Sequence, residues 1–191
     1  MCIRDRFGTA SIAANAVSNT IAVFQTLPGM AIGNAVLTVS AQCAGAGDYE
    51  QVKYYAKKLH IIIYGLMIVC CLGVIAALPA VLHVYSLSAE ATAMTEDIIV
   101  YHGICCMVIW PIAFTLPNVL RASNDVAFCM ILSILSMWIC RIGMSYVLGV
   151  RMGFGVFGVW VAMTMDWVVR AIFFVIRYRS GKCCLLYTSP S

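Results

Sequence analysis

Asp166 and Arg170 stand four residues apart in an otherwise apolar stretch, acid first, the order that favours an i,i+4 pair on one helix face. Arg141 lies in the apolar stretch before it. A charge in hydrocarbon costs a few kcal/mol on insertion scales, so it has to face other helices or water and find a partner. A short turn joins the two stretches, and the sequence predicts that Arg141 meets Asp166 across a helical hairpin. Two chemistries suit such a cluster. One is a structural ion pair that ties two helices together. The other is a site that takes up and releases a proton or cation.

Other motifs carry weaker signals. Gly153-Phe154-Gly155-Val156-Phe157-Gly158 matches G-x-G-x-x-G. A dinucleotide site also needs a preceding strand and an acid about 20 residues on, and neither is present. The glycines therefore read as a tight turn with close packing. Gly29-x-x-x-Gly33 lets a second helix approach closely, or lines a groove. Pro111 and Pro117, six residues apart, each remove a backbone hydrogen bond and are expected to bend or break their helix. Broken membrane helices often line cavities. The expectation is that the bend turns Trp110, Phe114 and Asn118 toward a substrate cavity, to which Asn34 is also assigned. Aromatic faces there would suit lipophilic cations.

His60, His83 and His102 share no ligand spacing and read as polar residues near span ends. Most of the ten cysteines sit in apolar runs, where they act as small hydrophobes, and C-x-x-C is absent. No metal site is expected. G-x-S-x-G, H-E-x-x-H and phosphate-loop patterns are missing too, so no catalytic residues are assigned and the chain does not read as an enzyme.

The elements that must hold these residues follow from composition. The 191 residues are 63% hydrophobic and only 10% charged, with a mean hydropathy of +0.95. An ordinary soluble domain has about 25% charged residues. The net charge of +4 is too small, beside this apolar load, for a nucleic-acid binder. The sequence predicts an all-α, polytopic membrane helical bundle in the lipid bilayer. A span needs about 20 apolar residues. Five are predicted, near 21–44, 59–82, 98–120, 126–150 and 154–176. The small, hydroxyl-rich stretch after Phe7 reads as a lead-in segment, and Pro28 as a kink.

Orientation follows from the basic residues. Lys53, Lys57, Lys58, Arg121, Arg177, Arg179 and Lys182 fall on one face. Arg151 falls on the other, beside Glu90, Glu96 and Asp97. The expectation is a multi-pass protein of the cell membrane with a cytoplasmic carboxyl end. The two termini fit neither the bundle nor a signal peptide. The codons ATG-TGT-ATA-AGA-GAC-AG give Met1-Cys2-Ile3-Arg4-Asp5 and the start of the next codon, and their reverse complement contains TGT-CTC-TTA-TAC-ACA, which codes for Cys184-Leu185-Leu186-Tyr187-Thr188. Residues 1–6 and 183–191 are thus expected to be adapter-derived. Residues 7–182 are expected to be an incomplete bundle from a longer protein.

The motifs taken together resemble a family. Leu27-Pro28-Gly29-Met30, Gln42-Cys43-Ala44-Gly45-Ala46-Gly47, Trp138-Ile139-Cys140-Arg141-Ile142 and the run from Gly153 through Asp166-Trp167 to Arg170 resemble, in order, the carboxy-terminal half of multidrug and toxic compound extrusion (MATE) transporters. The resemblance implies helices eight to twelve of a twelve-helix secondary transporter. Such a protein exports cationic or amphipathic compounds, drugs or toxic organic cations, in exchange for Na+ or H+, with no other cofactor. The amino-terminal half of the same chain would then be missing. The family's cation-binding acids have no counterpart within 98–120, so coupling is expected from that missing half. The alternatives are a related lipid-linked oligosaccharide flippase and a non-transporting structural membrane subunit.

Overall fold

A computed structural model describes residues 8–180. The two adapter-derived ends expected from the sequence, and Lys182, lie outside the described residues. The described chain is an all-α bundle of membrane-spanning length. Helix α1 is Gly8–Gly45, α2 is Tyr49–Tyr85, α3 is Ala89–Val108, α4 is Leu116–Ala122, α5 is Val126–Ser136 and α6 is Gly155–Arg179. Three π-helical segments interrupt the later spans: Pro111–Thr115, Met137–Met144 and Val147–Arg151. Among the described residues, four stretches are long and apolar enough to cross a bilayer. The bent pair of Ala89–Val108 with Pro111–Ala122 makes a fifth when taken as one span.

The expected lead-in segment is corrected by α1, which is helical from Gly8 through Pro28 to Gly45. At 1.5 Å per residue it is about 57 Å long, nearly twice the hydrocarbon thickness. The polar side chains that set this stretch apart from the span are satisfied within the helix. Asn19 Nδ2 donates to the Asn15 carbonyl at 3.0 Å, and Thr20 Oγ1 to the Ala16 carbonyl at 3.1 Å. Pro28 deprives the Phe24 carbonyl of its helical donor, and Cys70 Sγ of α2 donates to it at 3.4 Å.

Short caps stop the long helices. Asp48 accepts from the Gln51 N–H at 3.1 Å and starts α2. Ser86 ends it in the left-handed region, with φ 47°. Ser88 then accepts from the Ala91 N–H at 3.3 Å to start α3.

The prolines break the third span as expected. α3 and the Pro111–Ala122 stretch meet at 59°. The Val108 carbonyl beside the break accepts from Tyr64 Oη at 3.1 Å. The broken stretch packs on the glycines of α1. A Cβ on Gly29 would come 2.2 Å from Trp110 Cζ3, and one on Gly33 would come 3.4 Å from Asn118 Nδ2. The small-residue motif therefore serves helix packing. The glycine hexapeptide turns the chain at Gly153-Phe154 and then opens α6 at Gly155, with Gly153 and Gly155 at φ +75° and +59°. A Cβ on Gly158 would approach the Leu148 carbonyl carbon to 2.9 Å.

Among the described residues, three buried clusters hold the bundle. Val36, Ile63, Met67, Trp110 and Trp167 anchor one, and Ile21, Leu82, Ile99 and Trp160 a second toward the opposite end. Leu116, Leu120, Cys129 and Phe174 join α4, α5 and α6. The outer faces carry exposed Val69, Ile131, Ile139, Ile172 and Phe173, as lipid-facing surfaces require.

Candidate functional site

A cleft of about 250 Å³ opens between α1 and the hairpin formed by the α5 stretch and α6. Buried His102, Trp160 and Trp167 form its floor, and exposed Asn19, Val23 and Arg141 stand at its rim. The floor is held from behind. Trp160 Nε1 donates to Asn15 Oδ1 at 3.1 Å. His102 Nδ1 donates to Gln25 Oε1 at 2.6 Å. The imidazole stands edge-on to both tryptophans, with centroids 5.2 and 5.4 Å away.

His102 is a correction to the sequence reading. It is 2% exposed and bridges α3 to α1 rather than lying at an interface. Gln25 is fully buried, yet its Nε2 has no hydrogen-bond partner among the described residues. Sequence reasoning missed this pair. The available signal was a lone amide in the middle of an apolar stretch, which has to find a polar partner from another helix.

Of the four residues assigned to a cavity, Phe114 lines this cleft. Trp110 stacks on Phe114 at 5.1 Å and is buried against Gly29. Asn118 Nδ2 donates to the Gly33 carbonyl at 2.9 Å. Asn34 is exposed on α1, beside Gly33. The bend thus presses Trp110 and Asn118 onto α1 and brings Phe114 to the open space. Phe114 also meets Trp167 edge-on at 5.7 Å and has the Arg170 guanidinium 5.8 Å from its ring centre.

The intramembrane charges sort differently from the expectation. Asp166 pairs with Arg170, Nε to Oδ1 at 3.0 Å. It also accepts from Ser136 Oγ. Arg170 Nη2 donates to the Ser133 carbonyl at 3.1 Å, which ties α6 to α5. Arg141 does not reach Asp166. Its Nη2 lies 3.6 Å from Met163 Sδ, and among the described residues no carboxylate is within ion-pair distance. The antiparallel register explains this. Ser136 is level with Asp166 and Asp125 with Arg177, so Arg141 falls level with the turn that holds Met163.

A second ion pair was not foreseen. Arg177 clamps Asp125 through two bonds of 2.6 and 3.1 Å and covers the Phe128 ring at 4.7 Å. It closes the mouth of the α5–α6 hairpin. The signal was Asp125 just before one span and Arg177 at the end of the next, both at one end of an antiparallel pair.

The chain is therefore a polytopic helical membrane protein with an aromatic-floored cleft inside its bundle, an architecture of transporters. It belongs to the MatE family, whose model matches residues 1–147. The probable multidrug resistance protein YoeA of Bacillus subtilis is 24% identical over 178 residues, covering 88% of this chain and 36% of that protein. The probable multidrug resistance protein NorM of Bacillus licheniformis is 21% identical over 178 residues, covering 93% of this chain and 39% of its own length. The uncharacterized transporter YisQ of Bacillus subtilis is 36% identical over 63 residues, 33% of this chain and 14% of YisQ. The chain thus spans between 14% and 39% of the length of these relatives. No solved structure gives a significant match.

Proposed function

We propose that this bundle belongs to a secondary active exporter that expels amphipathic aromatic compounds in exchange for Na+ or H+, and that an amino-terminal half completes it. The observation that carries this reading is the cleft itself. Two tryptophans and a phenylalanine present aromatic surface beside polar Asn19, Thr26 and His102, within a MatE-family bundle. Such a surface holds amphipathic molecules by dispersion and a few directional contacts. The names of YoeA and NorM support multidrug export as the activity.

Placement in the cell membrane with a cytoplasmic carboxyl end has support from charge. Lys53, Lys57 and Tyr178 line one groove, and the Asp125–Arg177 clamp lies at the same end of the α5–α6 hairpin as Arg121. Arg151 and the Gly153 turn lie at the other end, where Gly153 shares a pocket with Asp97.

The test is transport. The full-length protein, reconstituted in proteoliposomes, is expected to move ethidium or an aromatic acid against an imposed Na+ or H+ gradient and to stop when the gradient is dissipated. Transport of neither probe under either gradient overturns the proposal.

A further inference from the structure

We infer that the cleft takes an aromatic compound carrying a carboxylate or comparable anionic group, in preference to a bare organic cation. The inference rests on the reading of the cleft as a substrate site, and four observations carry it.

The first is charge. Among the described residues, Arg141 is the one charged side chain lining the cleft, and its nearest polar contact is a thioether sulfur 3.6 Å away. A guanidinium without a carboxylate presents its fork of donors to a ligand, and that fork matches a carboxylate. The second is the absence of an available acid. Asp166 is fully buried and does not line the cleft; its Oδ1 is held by Arg170 and Ser136, and its Oδ2 is buried with no partner among the described residues, so no carboxylate faces a cation in the cleft. The third is the polar rim. Asn19 and Thr26 line the cleft with Arg141, and the Asn19 amide keeps one N–H beyond the bond it gives the Asn15 carbonyl. The fourth is that the aromatic surface is partly taken. Phe114 is stacked on Trp110 and already has Arg170 near its face, so the π-surface a cation would seek there serves an internal cation. What remains is aromatic surface on Trp160 and Trp167 for a ring, with Arg141 at the rim for its acid group.

A matched pair of probes tests this: 2-naphthoate and (naphthalen-2-ylmethyl)trimethylammonium, which share a ring and differ in charge. Binding to the detergent-purified full-length protein is read by quenching of tryptophan fluorescence, which does not depend on transport. The naphthoate is expected to bind more tightly than the cation. Arg141→Gln should weaken naphthoate binding by about tenfold or more, the loss of a hydrogen bond to a charged group, and leave the cation unaffected or improved. Arg141→Lys should retain part of the preference. The ratio of the two affinities is unaffected by the fraction of protein that folds.

Equal or tighter binding of the cation, or a ratio unmoved by Arg141→Gln, overturns the inference. In that case, gradient-driven export of ethidium would leave the transporter reading standing. Binding with the predicted preference, but with no export of any probe under either gradient, would sustain the inference about the ligand and overturn the export reading instead.

Discussion

Arg170 and Arg141 sit on the two arms of one hairpin, yet their surroundings are opposites. Arg170 is inside a largely buried polar knot with Asp166, Ser136 and the Ser133 carbonyl. Arg141 is exposed at the rim of a cleft with a methionine sulfur as its nearest polar contact. Helical phase and hairpin register make the difference. Asp166 and Arg170 are one turn apart on one face, and Ser136 is level with them across the interface. Arg141 is five residues further along its strand of the hairpin, beyond reach of that carboxylate. A knot of this kind holds helices together, whereas a guanidinium with no carboxylate partner among the described residues, beside an open cleft, is available to a ligand.

The largest effect expected is at the knot. Asp166→Leu leaves Arg170 buried without its counter-charge, and breaking a buried pair costs about 3–5 kcal/mol. The folded yield of the full-length protein, read by size-exclusion chromatography in detergent, should fall sharply. Asp166→Leu with Arg170→Met should recover much of it. If the single variant folds as well as the parent, the knot is not structural and the contrast with Arg141 disappears.

A second prediction compares two glycines of α1. Gly29→Ala forces a methyl to within 2.2 Å of Trp110, while no atom lies within 4 Å of a Cβ on Gly45. Overpacking costs about 1–3 kcal/mol, so Gly29→Ala should lower Tm, and Gly45→Ala should leave it unchanged or raise it. Trp110→Leu in the Gly29→Ala background should restore part of the loss. Equal effects at both glycines would show that the broken helix does not rest on α1 as described.

Much of the fold was legible because its signals are local. The apolar stretches mark the spans, Pro111 and Pro117 the break, and Gly29 and Gly33 the packing face. The reading faltered where the outcome depended on partners distant in sequence. Gln25 and His102 are 77 residues apart and Asp125 and Arg177 are 52 apart, so no spacing rule connects them. The lead-in segment was misread because Asn19 and Thr20 bond back to their own helix, an option that composition does not reveal. Asp166 with Arg170 was legible from i,i+4 spacing. The pairing of Arg141 was not, because it required the hairpin register to within one turn.

The smallest effect expected is the loss of Arg141 itself. Its guanidinium is exposed, and the bond from Ser145 Oγ reaches the Arg141 carbonyl, which any residue supplies. Removing the side chain therefore leaves no buried group unpaired. Exposed substitutions away from buried networks usually fall within about 0.5 kcal/mol of the parent. Arg141→Gln should thus melt within a degree or two of the parent, as ~0.5 kcal/mol shifts Tm little in a chain of this size. Thermal denaturation in detergent, run beside Asp166→Leu, checks this. A Tm drop comparable to that of Asp166→Leu would mean that Arg141 is held by a carboxylate in the full-length protein. The two arginines would then be alike, and Arg141 could not be reserved for a ligand.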